Sequence, residues 1–401
     1  MYNQQKLNVN DKRRSNPFTW RGQFTPELID YLLDIHYKKG TLVADPFSGS
    51  GTVLLESIRR NADAVGCEVN PSAYAMSKFL ELATRTFPER WNLCQELVRA
   101  VPLPGNLMAR PVHDANEKDY RKAYSSLIYF AQRAIDSHTN KQELVLLLNI
   151  LFRMESFNKL NIGQAWNKAY KEITDFLYSL PETAAQVSAY LTDARLLDKH
   201  IPRKASLIIT SPPYINVFNY HQNHRIIMEL LEFDILDVAR SEFGSNRKNR
   251  GNRFLTVIQY CLDMGEAISS MQRASCEDGT LIMVVGRESN VRKTAFYNGD
   301  IVSDLALKSG LFTQSHRTER VFQNKFGSNI IEDILVFKPL SSVANTNDIA
   351  REIAIKHLKK AALSVADEAK EDLLSAIDSI DKVEPSPIFH YKNKKTSSGG
   401  M

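Results

Sequence analysis

The sequence predicts an α/β fold in which a mostly parallel sheet is covered by helices and interrupted by a helical insertion. Two consecutive strand–turn–helix patterns, within residues 41–60 and 62–82, indicate the parallel sheet. Residues 83–188 carry helical spacing of apolar residues with no convincing strand, and this stretch is too long for a loop. A strand pattern at 330–339 follows "FTQSHRTERVF" closely enough to form an antiparallel pair with it.

The first elements have recognisable starts and ends. In "FTPELIDYLLDIHY" (24–37), Thr25 suits an N-cap and is followed directly by proline and glutamate, so we expect a helix. The stretch "TLVADPFSGSGTVLLESIRR" (41–60) has an apolar strand, a glycine-containing turn and an amphipathic helix. The next unit repeats this pattern, with a strand that ends near Glu68 and a helix that begins after Pro71.

Strand patterns return after the insertion, and the chain ends in helices. The runs "ASLIITS" and "GTLIMVVG" are apolar and of strand length. Residues 346–383 have the spacing of one or two amphipathic helices, and "KNKKTSSGGM" is basic and low in complexity. The predicted organisation has the N-terminal part of the α/β domain at 1–82, the helical insertion at 83–188, the rest of the α/β domain at 189–340, and C-terminal helices with a basic tail at 341–401.

Composition excludes several classes of protein. With 43% hydrophobic and 24% charged residues in 401, the chain has the balance of a globular protein with an ample core. It lacks the ~18 consecutive apolar residues of a membrane span and the apolar segment of a signal peptide. Its four cysteines show no CxxC spacing, so neither a disulfide framework nor a metal site is expected. The net charge of +5 leans towards a polyanionic partner. We expect a cytoplasmic protein that binds no metal and no membrane.

The turn "DPFSGSGT" (45–52) points to a nucleoside ligand. Gly49 and Gly51 stand between a strand and a helix, where the backbone can pass close to a ligand. Glu68, which lies 17 positions beyond Gly51 at the tip of the second strand, is placed to accept hydrogen bonds from ribose hydroxyls. Dinucleotide oxidoreductases share this arrangement, but their third glycine is missing here and Asp45 would sit badly beside a phosphate. We therefore expect a nucleoside without a pyrophosphate.

The turn "DPFSGSGT" resembles the cofactor motif of S-adenosylmethionine-dependent DNA amino-methyltransferases, and "TSPPY" (210–214) resembles their catalytic motif. The segment "GQFTPELIDYLL" (22–33) is similar to the one before their cofactor strand, and "LTDAR" (191–195) to their adenine-binding element. The resemblance covers roughly residues 20–82 and 190–340. It implies a Rossmann-like methyltransferase fold, whose mostly parallel seven-stranded sheet ends in an antiparallel hairpin.

Carried over position by position, the resemblance implies a binding site for S-adenosylmethionine. Glu68 would bind the ribose hydroxyls and Asp193 the adenine amino group. The other implied cofactor-binding residues are Phe24, Thr25, Asp45, Phe47, Gly49, Gly51 and Thr52. The alternative for Asp193 is a helix cap or a surface acid, and the alternative for Phe24 is a core aromatic.

The double proline of "TSPPY" has a chemical rationale. The lone pair of an exocyclic amino nitrogen is delocalised into the base, which makes the nitrogen a poor nucleophile. Two acceptors that hold both amino hydrogens favour a tetrahedral nitrogen, and the Ser211 hydroxyl and the Pro212 carbonyl can provide them. Neither Pro212 nor Pro213 has an N–H to compete, and Tyr214 offers a face on which an extruded base can stack. The alternative is a strand end whose Ser211 and Tyr214 face solvent.

The residue before the prolines bears on the target base. In the family, Ser-Pro-Pro-Tyr is mostly associated with N4 of cytosine, and Asp- or Asn-Pro-Pro-Tyr mainly with N6 of adenine. We therefore expect methylation of cytosine N4 in DNA, with adenine N6 and a non-catalytic nucleic-acid-binding relative as alternatives. Methylation of cytosine carbon-5 requires a cysteine nucleophile, and no cysteine here stands at a strand-exit turn. The family also implies a restriction–modification system, with a cognate restriction endonuclease as a partner.

The motif order leaves the site of target recognition open, because many Ser-Pro-Pro-Tyr enzymes have the catalytic motif first. One candidate is the helical insertion. The other is "RSEFGSNRKNRGNRF" (240–254), interpreted as a mobile basic loop that contacts the phosphates of double-stranded DNA, or alternatively as a solvated charge run. We expect His221 and His224 at the surface or facing DNA and not as metal ligands. The cations of the loop are Arg240, Arg247, Lys248, Arg250 and Arg253.

Overall fold

A seven-stranded sheet lies at the centre of the protein. The structure, a computed structural model, describes residues 2–9, 16–138, 140–215, 219–245, 249, 251–323, 327–341 and 345–389. The strands are β1 Val43–Asp45, β2 Ala64–Glu68, β3 Val187–Leu191, β4 Ala205–Thr210, β5 Ser275–Gly286, β6 Glu288–Val291, β7 Thr294–Tyr297, β8 Phe312–Gln323 and β9 Asn329–Pro339. The order in the sheet is β3-β2-β1-β4-β5-β9-β8, and β6 and β7 form a separate hairpin.

The predicted fold class is confirmed. The neighbouring strands from β3 to β5 are parallel, and β9 runs antiparallel to both β5 and β8. Three strands were not predicted: β6 and β7 of the separate hairpin, and β3, which pairs in parallel with β2 and occupies the edge of the sheet. Because β3 is short and only partly buried, its five residues lack the continuous apolar run that marks the inner strands.

The helices account for most of the remaining described chain. Their bounds are α1 Gln4–Asn8, α2 Pro26–His36, α3 Thr52–Arg59, α4 Pro71–Phe79, α5 Phe87–Ala100, α6 Gly105–Met108, α7 Tyr120–Ala123, α8 Ser125–Asp136, α9 Lys141–Glu155, α10 Ile162–Ser179, α11 Leu197–His200, α12 Arg225–Leu230, α13 Ile235–Ser241, α14 Leu255–Ala274, α15 Asn298–Lys308, α16 Thr346–Ala361 and α17 Asp367–Asp378. Six of them, α5 to α10, follow one another between β2 and β3, beyond α4. Within the described ranges, no helix has the length and apolar composition needed to cross a membrane.

The helices cover both faces of the sheet. Successive residues of a strand point to opposite faces, and in β4 this separates Leu207 and Ile209 from Ile208, while a register shift between Ala205 and Leu207 leaves Ala205 on the side of Ile208. The first pair joins a core shared with α2, α3, α4 and the helices α5 to α10. The second pair joins a core formed with α14, α15 and the C-terminal helices. The chain between β2 and β3 is thus packed against one face of the sheet.

A buried arginine of α5 connects the turn after α4 with the end of α10. The Arg90 side chain is 1% exposed and donates hydrogen bonds to five backbone carbonyls. Two of these carbonyls, on Leu82 and Ala83, belong to the turn after α4. The others lie at or just beyond the end of α10, on Leu177, Leu180 and Pro181. One guanidinium therefore satisfies carbonyls that two helix ends leave open.

Replacing Arg90 by methionine is expected to lower the free energy of unfolding by about 2–3 kcal/mol. Methionine preserves most of the side-chain volume but leaves five buried carbonyls without their donor. Chemical denaturation followed by circular dichroism measures this loss. Arg99→Met changes an exposed arginine of the same helix and should leave the stability nearly unchanged, so equal effects of the two substitutions would contradict the role given to Arg90.

Candidate active site

A cavity opens at the carboxyl edge of the parallel strands. Ligands of open α/β sheets bind at this edge, where loops that follow several strands converge. Four neighbouring strands contribute to its wall. The residues concerned are Phe47, Ser48, Gly49, Ser50 and Thr52 after β1, Glu68 and Asn70 at the end of β2, Asp193 and Ala194 after β3, and Ser211 and Pro213 after β4.

The pairing of β1 with β4 brings the two predicted motifs together. Val43 stands opposite Leu207 in this parallel pair, so both strands end at the same edge of the sheet. There the Thr210 hydroxyl donates to Asp45 Oδ1 over 2.6 Å. This bond joins the last residue of β1 to the last residue of β4, directly before the Ser211 corner. The glycine turn and the double proline are consequently neighbours, although the insertion separates them in sequence.

Asp45 lies behind the wall of the cavity and does not line it. Its carboxylate is 1% exposed, and the same oxygen that binds Thr210 also accepts the Phe47 N–H over 3.1 Å. Burial raises the pKa of Asp45 from 3.8 to about 7. Asp45 therefore stabilises the turn that places Phe47 in the wall. Its own carboxylate does not face the cavity.

The two glycines of the turn have different surroundings. Gly49 lines the cavity with a φ of +52°, and a Cβ there would lie 3.1 Å from Trp20 Nε1. Gly51 has a φ of +86° and faces α4, where a Cβ would lie 2.7 Å from Leu80 Cδ1. Both positions need glycine for their backbone conformation. Gly49 keeps the cavity open, whereas Gly51 allows close packing of α3 on α4 and does not line the cavity.

Glu68 presents a carboxylate that the backbone holds in place. One oxygen accepts the Gly49 N–H over 2.8 Å, and the other accepts the Asn70 N–H over 2.8 Å. Burial raises the pKa of Glu68 from 4.5 to about 7, and the nearby Asp45 acts in the same direction. Each oxygen retains a lone pair after these bonds, so the group can accept donors from a ligand in the cavity.

Asp193 is buried in the wall and is held by an arginine. The Arg195 side chain donates to both Asp193 oxygens, over 2.9 Å from Nε and 2.7 Å from Nη2. The Arg195 backbone N–H also donates to this carboxylate, over 3.0 Å. Asp193 thus has the capping role considered as its alternative, at the start of the turn Ala194–Leu196, and it lines the cavity as well.

The corner after β4 places Ser211 and Pro213 in the wall, and Pro212 is buried between them. Tyr214 does not line the cavity. Its ring packs on Gly286, where a Cβ would lie 2.8 Å from Tyr214 Cε2, and its hydroxyl lies 3.4 Å from Ser211 Oγ. The Tyr214 hydroxyl donates to Glu332 over 3.3 Å, and burial raises the pKa of Tyr214 well above 10. Tyr214 is accordingly a protonated side chain fixed next to Ser211, and not one that faces solvent.

Three segments outside the predicted motifs complete the cavity. Trp20 and Tyr220, from two of them, stack with their ring centroids 5.5 Å apart and an angle of 17° between the planes, and both line the cavity together with the predicted Phe24. Glu242 and Phe243 line it from the third segment, and the Phe243 ring meets that of Phe47 edge-on at 5.3 Å. No local signal marked these residues, because each comes from an irregular segment. Thr25 is the N-cap of α2 and does not line the cavity.

The prediction that His221 and His224 lie at the surface or face DNA is wrong, since they are only 1% and 8% exposed. His221 Nδ1 lies 2.7 Å from a carboxylate oxygen of Glu242. His224 Nδ1 lies 3.0 Å from Glu155 of α9, and its Nε2 lies 2.9 Å from Thr19 Oγ1. Both rings therefore connect the segment 219–224 to neighbouring segments through hydrogen bonds. In the described part of the chain, no three His, Cys, Asp or Glu side chains are grouped so as to hold a metal ion.

The predicted basic loop is only partly a loop. Residues 241–245 are all buried and supply part of the cavity wall, so the interpretation of 240–254 as a mobile loop is wrong for this portion. Arg240 and Arg253 are exposed, and Arg240 pairs with Asp237 over 2.8 Å. The other three predicted DNA-binding residues, Arg247, Lys248 and Arg250, lie outside the described residues.

Comparison with known proteins identifies related sequences. A family model described as DNA methylase matches residues 2–79, which is less than half of the chain. The chain is also similar to the Type II methyltransferase M.MjaII of Methanocaldococcus jannaschii, with 21% identity over 295 residues. That alignment covers 70% of this chain and 51% of the relative, so the chain spans about half the length of the curated relative that it matches.

Two similar solved structures have low sequence identity to this chain. TrmN from Thermus thermophilus is 12% identical, with a TM-score of 0.33, over 80% of this chain and 50% of that chain. The rRNA methyltransferase aviRa from Streptomyces viridochromogenes is 10% identical, with a TM-score of 0.31, over 84% of this chain and 90% of that chain. Likeness at this level supports no inference about function.

Proposed function

We propose that this protein is an S-adenosylmethionine-dependent DNA amino-methyltransferase that methylates N4 of cytosine. The observation that carries the proposal is the shared cavity, in which Gly49 and Glu68 of the nucleoside-binding turn and Ser211 of the proline corner line one wall. The match to DNA methylases and the similarity to a Type II methyltransferase support an amino-methyltransferase of DNA. Cytosine is the finer part of the proposal and rests on the serine before the prolines.

The residues present fit S-adenosylmethionine. Glu68 holds a partly buried carboxylate at the wall, which suits the two hydroxyls of a ribose better than a phosphate. Gly49 leaves the space that any larger side chain would fill. Asp193 would accept the adenine amino group, and Phe47, Phe24 and Thr52 would contact the rest of the molecule. The cofactor supplies a methyl group on an electrophilic sulfonium.

The proline corner would prepare the amino nitrogen for attack. The Ser211 hydroxyl oxygen and the Pro212 carbonyl would accept the two amino hydrogens, which draws the nitrogen lone pair out of conjugation with the base. Pro213 and the packing of Tyr214 on Gly286 hold this corner rigid. Beside the cavity, the face of Tyr214 that is not packed on Gly286 would support a base turned out of the DNA duplex, and the raised pKa of Tyr214 keeps the phenol from acting as a base at neutral pH.

Nucleoside analysis of methylated DNA tests the proposal. The purified protein is incubated with unmethylated bacterial DNA and S-adenosylmethionine carrying a labelled methyl group, and the digested nucleosides are separated by chromatography with mass detection. We expect labelled N4-methylcytosine. Labelled N6-methyladenine alone would overturn the choice of base but keep the activity. DNA and cofactor binding without labelled nucleosides would support the non-catalytic relative instead.

The protein's partners are part of the same proposal. Double-stranded DNA with an everted base is the substrate, contacted by exposed cations such as Arg253 and by the helical region between β2 and β3. The name of the Type II relative supports a role in restriction–modification. In that role the second partner is a restriction endonuclease that recognises the same DNA sequence. If this holds, DNA methylated by this protein should resist cleavage by that endonuclease.

The affinity for S-adenosylmethionine is expected to increase about tenfold between pH 6 and pH 8. Glu68 has a pKa of about 7, so it is mostly protonated at pH 6 and mostly ionised at pH 8. The ionised form accepts ribose hydroxyls better, so binding lowers the pKa of Glu68 and releases protons. In the free protein the raised pKa opposes folding as the pH rises from 4.5 through 7, and a bound ribose offsets that loss.

Titration calorimetry in buffers of different ionisation enthalpy measures both the affinity and the proton release. Glu68→Gln should bind more weakly and lose most of the pH dependence. A pH profile of Glu68→Gln as steep as that of the wild-type protein would assign the titration to another group, for example Asp45, whose pKa is also about 7.

A further inference from the structure

The last described segment of the chain lies against the support of the cofactor site. This C-terminal strap, residues 383–389, follows the short helical turn Ile380–Lys382. Its buried residues are Val383, Ser386 and Phe389. Nothing in the proposed reaction uses the strap. The strap nevertheless contacts Asp263 and Arg195, and Arg195 in turn contacts residues of the cavity wall.

Ser386 is the centre of these contacts. It is 4% exposed and donates twice to one carboxylate on α14: its N–H to Asp263 Oδ1 over 2.7 Å, and its hydroxyl to Asp263 Oδ2 over 2.6 Å. Its carbonyl in turn accepts Arg195 Nη1 over 2.7 Å, and the next carbonyl, of Pro387, accepts Arg195 Nη2 over 3.3 Å. The strap thus contacts an acid and an arginine that are both buried.

Arg195 connects the strap to two residues of the cavity wall. Its guanidinium donates to both oxygens of Asp193, and it lies over the ring of Phe243 at 5.2 Å. Asp193 and Phe243 both line the cavity. A guanidinium is planar and rigid, so its orientation determines how it presents the carboxylate that it binds.

Three carboxylates surround this single guanidinium. Asp193 is held at 2.7 Å, whereas Glu266 lies at 3.3 Å and Asp263 at 3.4 Å from Arg195. Ser386 explains part of this difference, because its N–H and hydroxyl occupy both oxygens of Asp263. Without the hydroxyl, one Asp263 oxygen loses its donor and Arg195 is the nearby group that can replace it. Arg195 would then move away from Asp193.

We infer that Ser386 is a positioning residue for adenine recognition, which acts through Asp263 and Arg195 to hold Asp193 towards the bound nucleoside. The inference rests on the proposed function, in which Asp193 accepts the adenine amino group. Asp193 Oδ1 already accepts the backbone N–H and Nε of Arg195, whereas Oδ2 accepts Nη2 alone, so a correctly oriented Oδ2 is able to bind the amino group from the cavity. The C-terminal strap is therefore a part of the cofactor site contributed from the far end of the chain.

Two ligands that differ only at the adenine amino group test this inference. S-adenosylhomocysteine carries the amino group, and S-inosylhomocysteine carries an oxygen acceptor in its place. The wild-type full-length protein should bind the first at least about tenfold more tightly, because a buried acceptor is left facing an acceptor in the second complex. Ser386→Ala should reduce this preference about fivefold or more, with little change in affinity for the inosine ligand.

Controls separate positioning from general damage. Glu384→Ala changes an exposed side chain of the same strap and should keep the wild-type preference. Asp263→Asn removes the charge that would draw Arg195 away from Asp193, so adding it to Ser386→Ala should restore most of the wild-type preference. Thermal unfolding of each variant confirms that the protein is folded. If wild-type protein binds neither ligand, the proposed function fails; if it discriminates but folded Ser386→Ala keeps the preference or weakens both ligands equally, the positioning role fails.

Discussion

Replacing Ser211 by alanine is expected to reduce the rate of methyl transfer by about 10²-fold or more. The hydroxyl oxygen is one of the two acceptors proposed for the amino hydrogens, and an alanine leaves one of those hydrogens without a partner in the transition state. The cofactor affinity should stay within about twofold of wild type, because Glu68 and Gly49 are unchanged. A large loss of kcat with little change in binding is characteristic of an interaction made mainly in the transition state.

Single-turnover methylation with saturating DNA and cofactor measures this effect. Ser206→Ala is the matched control, because Ser206 lies on β4, the strand that leads to Ser211, and its hydroxyl has no hydrogen-bond partner among the described residues. The control should methylate at the wild-type rate. Methylation by Ser211→Ala at more than about a tenth of the wild-type rate would remove Ser211 from the reaction and leave the proline corner with a structural role alone.

The sheet and the two motifs could be predicted because their signals are local. An apolar strand followed by a glycine turn and a helix is recognisable within about twenty residues, and parallel strands end at one edge of a sheet. These two rules were sufficient to expect Glu68 and Gly49 near each other. These rules do not predict the contact of Asp45 with Thr210. That contact requires β1 and β4 to be neighbours in the sheet, although the helical insertion separates them in sequence.

The parts of the cavity that were not predicted come from irregular segments. Trp20 and Tyr220 meet by stacking although they are two hundred positions apart, and neither belongs to a periodic pattern. Glu242 and Phe243 sit within a stretch whose many cations suggested solvent exposure, yet that portion is buried. His221 is buried by its contact with Glu242, a partner that sequence spacing does not reveal. Such contacts follow from the tertiary fold.

The largest effect on cofactor binding is expected from replacing Gly49 by valine, which should lower the affinity by about 10²-fold or more. The backbone at Gly49 has a φ of +52°, where a β-branched residue is strained by roughly 1–2 kcal/mol. A Cβ would also lie 3.1 Å from Trp20 Nε1, and the larger side chain would press the indole out of the wall. Because the Gly49 N–H donates to Glu68, movement of the turn would also disturb the carboxylate proposed to bind ribose.

Gly40→Val separates these two effects. Gly40 has a φ of +82° and no atom within 4 Å of a Cβ, so valine there brings comparable backbone strain without touching the cavity. Both variants should lose stability in thermal unfolding, but only Gly49→Val should lose affinity for S-adenosylhomocysteine in calorimetry. If Gly40→Val loses affinity to the same extent, the loss reflects strain that spreads through the fold. If Gly49→Val instead binds as wild type does, the glycine turn does not contact the nucleoside, and the ligand must occupy another part of the cavity.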